Sequence, residues 1–258
     1  MKSFKSIYSL ASLSAREWIR LKFFHIVIFF GLLFVAFTNL ISTLTFSVQE
    51  RILYDFGLGS LELALVLIAC LMGSHTIHRE IERKTMLVLL SRPISRSFVI
   101  IGALGSICIL CFIFALGFVL SLILTAPEGI SVPSMGVFIS AFATLQKAAV
   151  IASVAIAFGV MVRPMMALVA AISYWILCYS IVDVEFFVSK MKSDFLSDLI
   201  SNVKMALPQF HSYNWKTYYA IKNIPTTSEI MWTTSHNIAW MCIWVLIACV
   251  AFRRKEIV

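Results

Sequence analysis

The stretch His78–Arg96, HREIERKTMLVLLSRPISR, decides how the rest of this chain reads. Seven of its nineteen residues are charged and three carry a hydroxyl, yet long apolar runs flank it on both sides. The run before it, 57–77, and the run after it, 98–125, are each long enough to cross a bilayer as a helix, which takes about 20 mostly apolar residues. The charged stretch is therefore a hinge between two lipid-crossing segments. Glu80 and Lys84 stand one turn apart in the order that favours an exposed ion pair, so the helix is expected to continue past His78. Arg92 precedes Pro93, which biases it to an extended conformation and stops the helix there. Ser95 is placed to cap the helix that enters the membrane next. The spacing thus predicts a short charged helical elbow, with Met86–Leu90 as its apolar side.

Composition extends the same reading to the whole chain. Of 258 residues, 60% are hydrophobic and 13% charged, against about a quarter charged in a soluble domain. Four further runs reach spanning length, giving six expected transmembrane helices at 23–46, 57–77, 98–125, 136–161, 164–183 and 231–252. Lipid offers no hydrogen bonds, so each must pair its own backbone groups as a helix. The fold expected is an all-α membrane protein. The first run is too long and starts too late for the apolar core of a signal peptide, so it is read as retained.

Charge placement supplies an orientation. Lys2, Lys5, Arg16, Arg20 and Lys22 precede the first span, and the 78–96 elbow, the 162–163 turn with Arg163, and Arg253, Arg254 and Lys255 fall on the same side of a six-span topology. The bias toward Lys and Arg on the inner side places both termini in the cytoplasm, in a cytoplasmic (inner) membrane. Five lysines in the opposite segment 184–230 pull the other way. Long loops cross regardless of charge, which discounts them. The net charge of +8 is read as this bias rather than as a nucleic-acid surface, because the charges sit beside apolar spans.

Outside the spans, residues 1–22 alternate as a basic amphipathic helix, suited to the inner membrane surface or to packing on a partner. Within 184–230, Asp194–Leu207 has helical apolar spacing and is ended by Pro208. The aromatic cluster Phe210, Tyr213, Trp215, Tyr218 and Tyr219 reads as a belt at the outer interface.

Two ionisable residues lie deep in spans. Glu62 and Lys147 each stand roughly fifteen residues from the inner end of their helices, about 22 Å at a rise of 1.5 Å per residue. Equal depth makes them partners, either lining a pathway or forming a structural ion pair; a lysine snorkelling outward is the remaining alternative. Asp183 and Glu185 need only solvation. Catalytic readings find little support. The histidines His75 and His78 lack a third ligand and any H-E-x-x-H spacing, and no G-x-S-x-G elbow exists. Cys108 and Cys111 form a C-x-x-C inside a span, where small buried hydrophobes are the simpler reading than a redox or metal pair.

The elbow resembles a known signature. REIERKTMLVLLSRPISR is similar to the pattern R-E-x-E-x-G-T-x-x-x-L-L-S-x-P-[IV]-S-R of ABC-2 type transporter permeases, in the branch of nitrous-oxide-reductase and multicopper-enzyme maturation. The matching residues are Arg79, Glu80, Glu82, Thr85, Leu89, Leu90, Ser91, Pro93, Ile94, Ser95, Arg96 and Gly102. Lys84 stands where glycine is usual, and Ala103 where lysine follows Gly102. FATLQKAAVIASVAIAFGVMVRP, 142–164, and ALPQFHSYNW, 206–215, resemble the fourth span and the external segment of the same family.

The resemblance implies a type V, G-subfamily-like exporter half-transporter: a single ABC-2 membrane domain over 1–258 that moves a lipid-like, hydrophobic or maturation-related substrate. It implies that residues 78–96 are a coupling helix held by a separate ABC ATPase, with contacts from Arg79, Glu80, Glu82, Arg83, Lys84, Thr85, Arg92, Pro93 and Arg96. Two ATPase copies, a second copy of this chain or a related permease, and accessory proteins are the expected partners. The chain has no G-x-x-x-x-G-K-[ST], so ATP and magnesium are expected on the ATPase, with no cofactor here. A membrane anchor for a larger complex and an intramembrane enzyme are the alternatives.

Overall fold

The computed structural model describes residue 29 and residues 31–37, 40–41, 49–82, 96–124, 134–191, 194–217 and 223–254. Among the described residues from Gln49 on, six α-helices and one 3-10 helix follow in order. They are α1 (Gln49–Glu82), α2 (Arg96–Leu124), α3 (Ser134–Met161), α4 (Pro164–Met191), α5 (Asp194–Met205), the 3-10 helix Phe210–Tyr213, and α6 (Thr227–Arg254). Five of these, all but α5 and the 3-10 turn, are long and apolar enough to cross a membrane. The first expected span, 23–46, is described only at helical residues 29, 31–37, 40 and 41. The N-terminal amphipathic reading, 1–22, lies outside the described residues.

Several expected limits move. The loop placed at 47–56 is helical from Gln49 on, so α1 has 34 residues. That is about 51 Å of helix at 1.5 Å per residue, well beyond a hydrocarbon layer of about 30 Å. Arg51 and Asp55, 3.4 Å apart, are i, i+4 partners in its opening turns, and apolar Ile52, Leu53 and Tyr54 continue the buried face. Likewise α4 runs to Met191 rather than 183. Its acids Asp183 and Glu185 do not break a helix that Phe186 and Phe187 prolong, and Glu185 Oε2 lies 2.6 Å from Lys204 Nζ of α5. The last helix opens at Thr227, four residues earlier than apolar content alone places it. Thr226 and Glu229 form a capping box: the Thr226 N–H donates to Glu229 Oε2 at 2.8 Å, and the Glu229 N–H to Thr226 Oγ1 at 3.4 Å. The turn between α3 and α4 falls at 162–163, with Pro164 opening α4, where its missing N–H costs nothing.

The core lies around α1 and α3, most of whose residues are buried, whereas only a minority of those in α4 and α6 are. These two central helices form the most extensive contact among the described elements. They run parallel: Glu62 meets Lys147, Gly73 meets Ala155, and His78 meets the carbonyl of Val162. Near the end that carries the basic turns, called here the basic end, their backbones touch. A Cβ on Gly73 would sit 2.6 Å from the Ala155 Cβ, and one on Gly159 only 2.9 Å from the Ser74 carbonyl oxygen. Small residues at these positions are what lets two helices approach so closely. His78 Nε2 stands 3.0 Å from the Val162 oxygen, which ties the last turns of α1 to the α3–α4 turn.

Candidate functional site

Toward the opposite, distal end, the same two helices carry charge into the core. Glu62 of α1 and Lys147 of α3 are 1% and 2% exposed, and their Oε1 and Nζ atoms lie 3.6 Å apart. The helical period puts both on the face that α1 and α3 share. Tyr179 of α4 bridges them: its hydroxyl accepts from Lys147 Nζ at 2.7 Å and donates to Glu62 Oε1. The second carboxylate oxygen of Glu62 faces Lys216 Nζ at 2.8 Å. Lys147 also sits over the rings of Tyr179 and Tyr213, 5.2 and 5.4 Å from their centres.

Lys216 and Tyr213 belong to the segment between α5 and α6, which drops onto the distal end of the bundle. Phe210 and Tyr213 are fully buried, so these two aromatics are core residues rather than the interfacial belt read from the sequence. Trp215 is half-buried, and Tyr218 and Tyr219 lie outside the described residues. Polar bonds fix the segment to three helices. The Trp215 carbonyl accepts from Ser140 of α3. The Tyr213 hydroxyl donates to Asn237 Oδ1 of α6 at 2.5 Å, and Asn237 Nδ2 donates to Gln146 Oε1 of α3 at 2.9 Å. Gln146 Nε2 in turn donates to Thr234 Oγ1 at 2.9 Å. The Lys216–Glu62 contact reaches α1. Burial pushes the Tyr213 phenol above its ordinary value, so it remains a hydrogen-bond donor throughout the physiological range.

The energetics of this cluster set it apart from ordinary packing. At an effective dielectric constant of about 20, two unit charges 3.6 Å apart attract by roughly 5 kcal/mol. Desolvating each ion costs several kcal/mol, which cancels that gain. Tyr179 and the ring faces supply the hydrogen bonding and cation–π contact that hold the arrangement near balance. Such a cluster adds little stability, yet it joins α1, α3, α4 and the distal segment at one point.

The sequence indicated the depth of Glu62 and Lys147 but missed Tyr179, Lys216, Tyr213, Asn237 and Gln146. Tyr179 had a readable signal: it stands fifteen residues from Pro164, about 22 Å along α4, the depth of the charged pair. Lys216 had none, being one lysine of a polar segment. Among the elbow residues, Arg79, Glu80 and Glu82 lie on the last turn of α1 and Arg96 opens α2. Arg83, Lys84, Thr85, Arg92 and Pro93 lie outside the described residues. Cys108 and Cys111 are free thiols in α2, and the described residues contain no group of three or more metal-ligating side chains.

No curated protein matches this chain. The sequence profile described as ABC-2 family transporter protein matches residues 59–256, from early in α1 to beyond the end of α6. That interval holds the Glu62 cluster, the elbow, most of α1 and all of α2, α3, α4 and α6. With most of its length matched and its five described spans of membrane-crossing length, the chain belongs to the ABC-2 family and is a multi-pass membrane permease component of a transporter.

Proposed function

We propose that this chain is the permease subunit of an ATP-driven exporter in the cytoplasmic membrane, worked by a separate ABC ATPase that grips the 78–96 elbow. In this reading it acts as a half-transporter, paired with a second copy or a related chain, and hydrolyses nothing itself. ATP and magnesium belong to the ATPase. The substrate is a lipid-like, hydrophobic or maturation-related molecule, the last in keeping with the resemblance to permeases of metalloenzyme maturation.

The observation that carries the reading is the continuity of α1. One uninterrupted helix runs from Gln49 through Glu62 to Glu82, so the charge cluster and the start of the elbow ride on a single rod. Backbone contact at Gly73 and Gly159 and the His78–Val162 bond lock that rod to α3. Closure of an ATPase dimer on the elbow therefore tilts α1 and α3 together. The tilt reaches Glu62 and Lys147 as a rigid-body movement that re-packs the bundle between two states. Arg79, Glu80, Glu82, Arg83, Lys84, Thr85, Arg92, Pro93 and Arg96 supply the grip, and Glu62 and Lys147 line the pathway.

The test is purification of the chain with its ATPase in mild detergent. Glu80→Lys or Glu82→Lys is expected to abolish substrate-stimulated ATP hydrolysis while the chain still folds and inserts. An ATPase that co-purifies yet responds neither to substrate nor to these reversals makes the chain an anchor instead.

A further inference from the structure

The Glu62 cluster contains more positive charge than its carboxylate balances. Lys147 and Lys216 each bring a cation, and among the described residues both form their ion pair with Glu62. One surplus positive charge in a site this dry is costly. The two lysines differ in access: Lys147 is 2% exposed, Lys216 26%. An ammonium has three donors, and beyond its approach to Glu62 Oε2 and to the Tyr179 ring, 5.4 Å from its centre, Lys216 keeps donors for an acceptor arriving from its open side.

Three further features lie around the lysine. One turn along α4 from Tyr179, and edge-on to its ring, Trp175 buries its indole N–H with no acceptor among the described residues. Buried donors are rarely left so. Beside the lysine in sequence, Trp215 lines a cavity of about 400 Å³ shared with Trp232, Ser212, Ser228 and Thr233. Glu229 also borders this cavity, with one carboxylate oxygen committed to the Thr226 N–H. Asn214 Oδ1 is a buried acceptor without a hydrogen-bond partner among the described residues, and rotating that amide presents donors instead. Among the described residues, the cavity wall thus carries one carboxylate, Glu229, and no cation, and the surplus positive charge lies beside it, at Lys216 and Lys147 around Glu62.

We propose that Lys216 is a specificity-determining residue that binds the phosphate or carboxylate headgroup of an amphiphilic substrate, and that Glu62 is the built-in anion which holds Lys216 until the substrate replaces it. This rests on the transporter reading above. The exchange is balanced in charge: Glu62 keeps Lys147, forming a neutral buried pair, and Lys216 pairs with the ligand. Without the ligand, Glu62 is shared between two cations that repel each other, which makes the outer contact the replaceable one.

The test uses the full-length chain in dodecyl maltoside, without any ATPase, titrated with dodecyl phosphate or inorganic phosphate and followed by tryptophan fluorescence. Wild type is expected to show a saturable change with dodecyl phosphate. Lys216→Gln should weaken it at least tenfold and Lys216→Arg should retain it. Glu62→Gln should tighten it several-fold, because it removes the competing carboxylate. Equal binding by wild type and Lys216→Gln, or no saturation in wild type, overturns the proposal. Weakening rather than tightening in a folded Glu62→Gln also overturns it, since that marks the lysine contact as purely structural. If Glu62→Gln does not fold, the contrast between the glutamine and arginine variants at 216 decides. An equal response to inorganic phosphate overturns the amphiphile and leaves a free-anion site. Because no ATP hydrolysis is measured, failure here is distinct from failure of the coupling experiment.

Discussion

At the residue scale, charge counting around Glu62 ranks substitutions that look alike. Glu62→Gln strands two lysines without a counter-ion. Lys147→Gln instead leaves the carboxylate with Lys216, and Lys216→Gln leaves it with Lys147, a neutral pair either way. Glu62→Gln is therefore expected to cost about 3–5 kcal/mol, the usual penalty for orphaning buried charge. Lys216→Gln, at a partly exposed position, should cost about 1 kcal/mol or less. Thermal unfolding of the detergent-solubilised variants checks the order, and a Lys216 variant as unstable as the Glu62 one would contradict it. Tyr213→Phe deletes the hydroxyl that donates to Asn237 Oδ1 and leaves a buried acceptor unpaired. A loss of about 1–3 kcal/mol is expected in the same measurement. These residues also show how far a linear reading reaches. Depth along a helix follows from residue count, so Glu62 and Lys147 can be matched by counting along the chain alone. The lysine that completes their cluster is 69 residues from Lys147 in the chain, and no local pattern distinguishes it from its neighbours.

At the element scale, α1 offers an internal control. Gly59 has open space where a Cβ would go, whereas a Cβ on Gly73 would press on Ala155 of α3. Alanine is the better helix former by up to about 1 kcal/mol. Gly59→Ala should thus be neutral or mildly stabilising, and Gly73→Ala should destabilise by about 1–3 kcal/mol through overpacking. Comparison of their unfolding midpoints tests this, and equal effects would remove the claim that α1 and α3 are fitted backbone to backbone. In the proposed mechanism, the same fit would carry a push on the elbow to the cluster. Helix limits show why pattern reading stops short. Hydropathy reports where lipid begins, but a helix ends only where its backbone loses partners. So α1 and α4 run on past their apolar windows, and α6 begins at its capping box.

At the scale of the whole molecule, the described spans form a bundle whose two ends differ. The basic end carries the α1–α2 elbow, the 162–163 turn and the end of α6, and the distal end carries the α5–α6 segment. In the proposed topology the basic end faces the cytoplasm, in line with the bias of positive charge on short inner connections. In a background without native cysteines, Thr226→Cys should react with a membrane-impermeant maleimide in intact cells. Val162→Cys should react only after permeabilisation. The reverse pattern would invert the topology and place the elbow where no cytoplasmic ATPase could reach it.

Composition and pattern were enough to dictate the material of this protein: helices, because lipid leaves the backbone no other partner, with charged turns on one side, because moving lysine and arginine across a membrane is costly. It also carried the family signature in the elbow, which is local and contiguous. It took the packed molecule to reveal that the segment after α5 folds back onto the bundle, that two of its aromatics are core, and that Lys216 and Tyr179 close around Glu62. Those are meetings between distant parts of the chain. They depend on how whole helices pack, and that packing is fixed by the sum of many weak contacts that no single stretch of sequence contains.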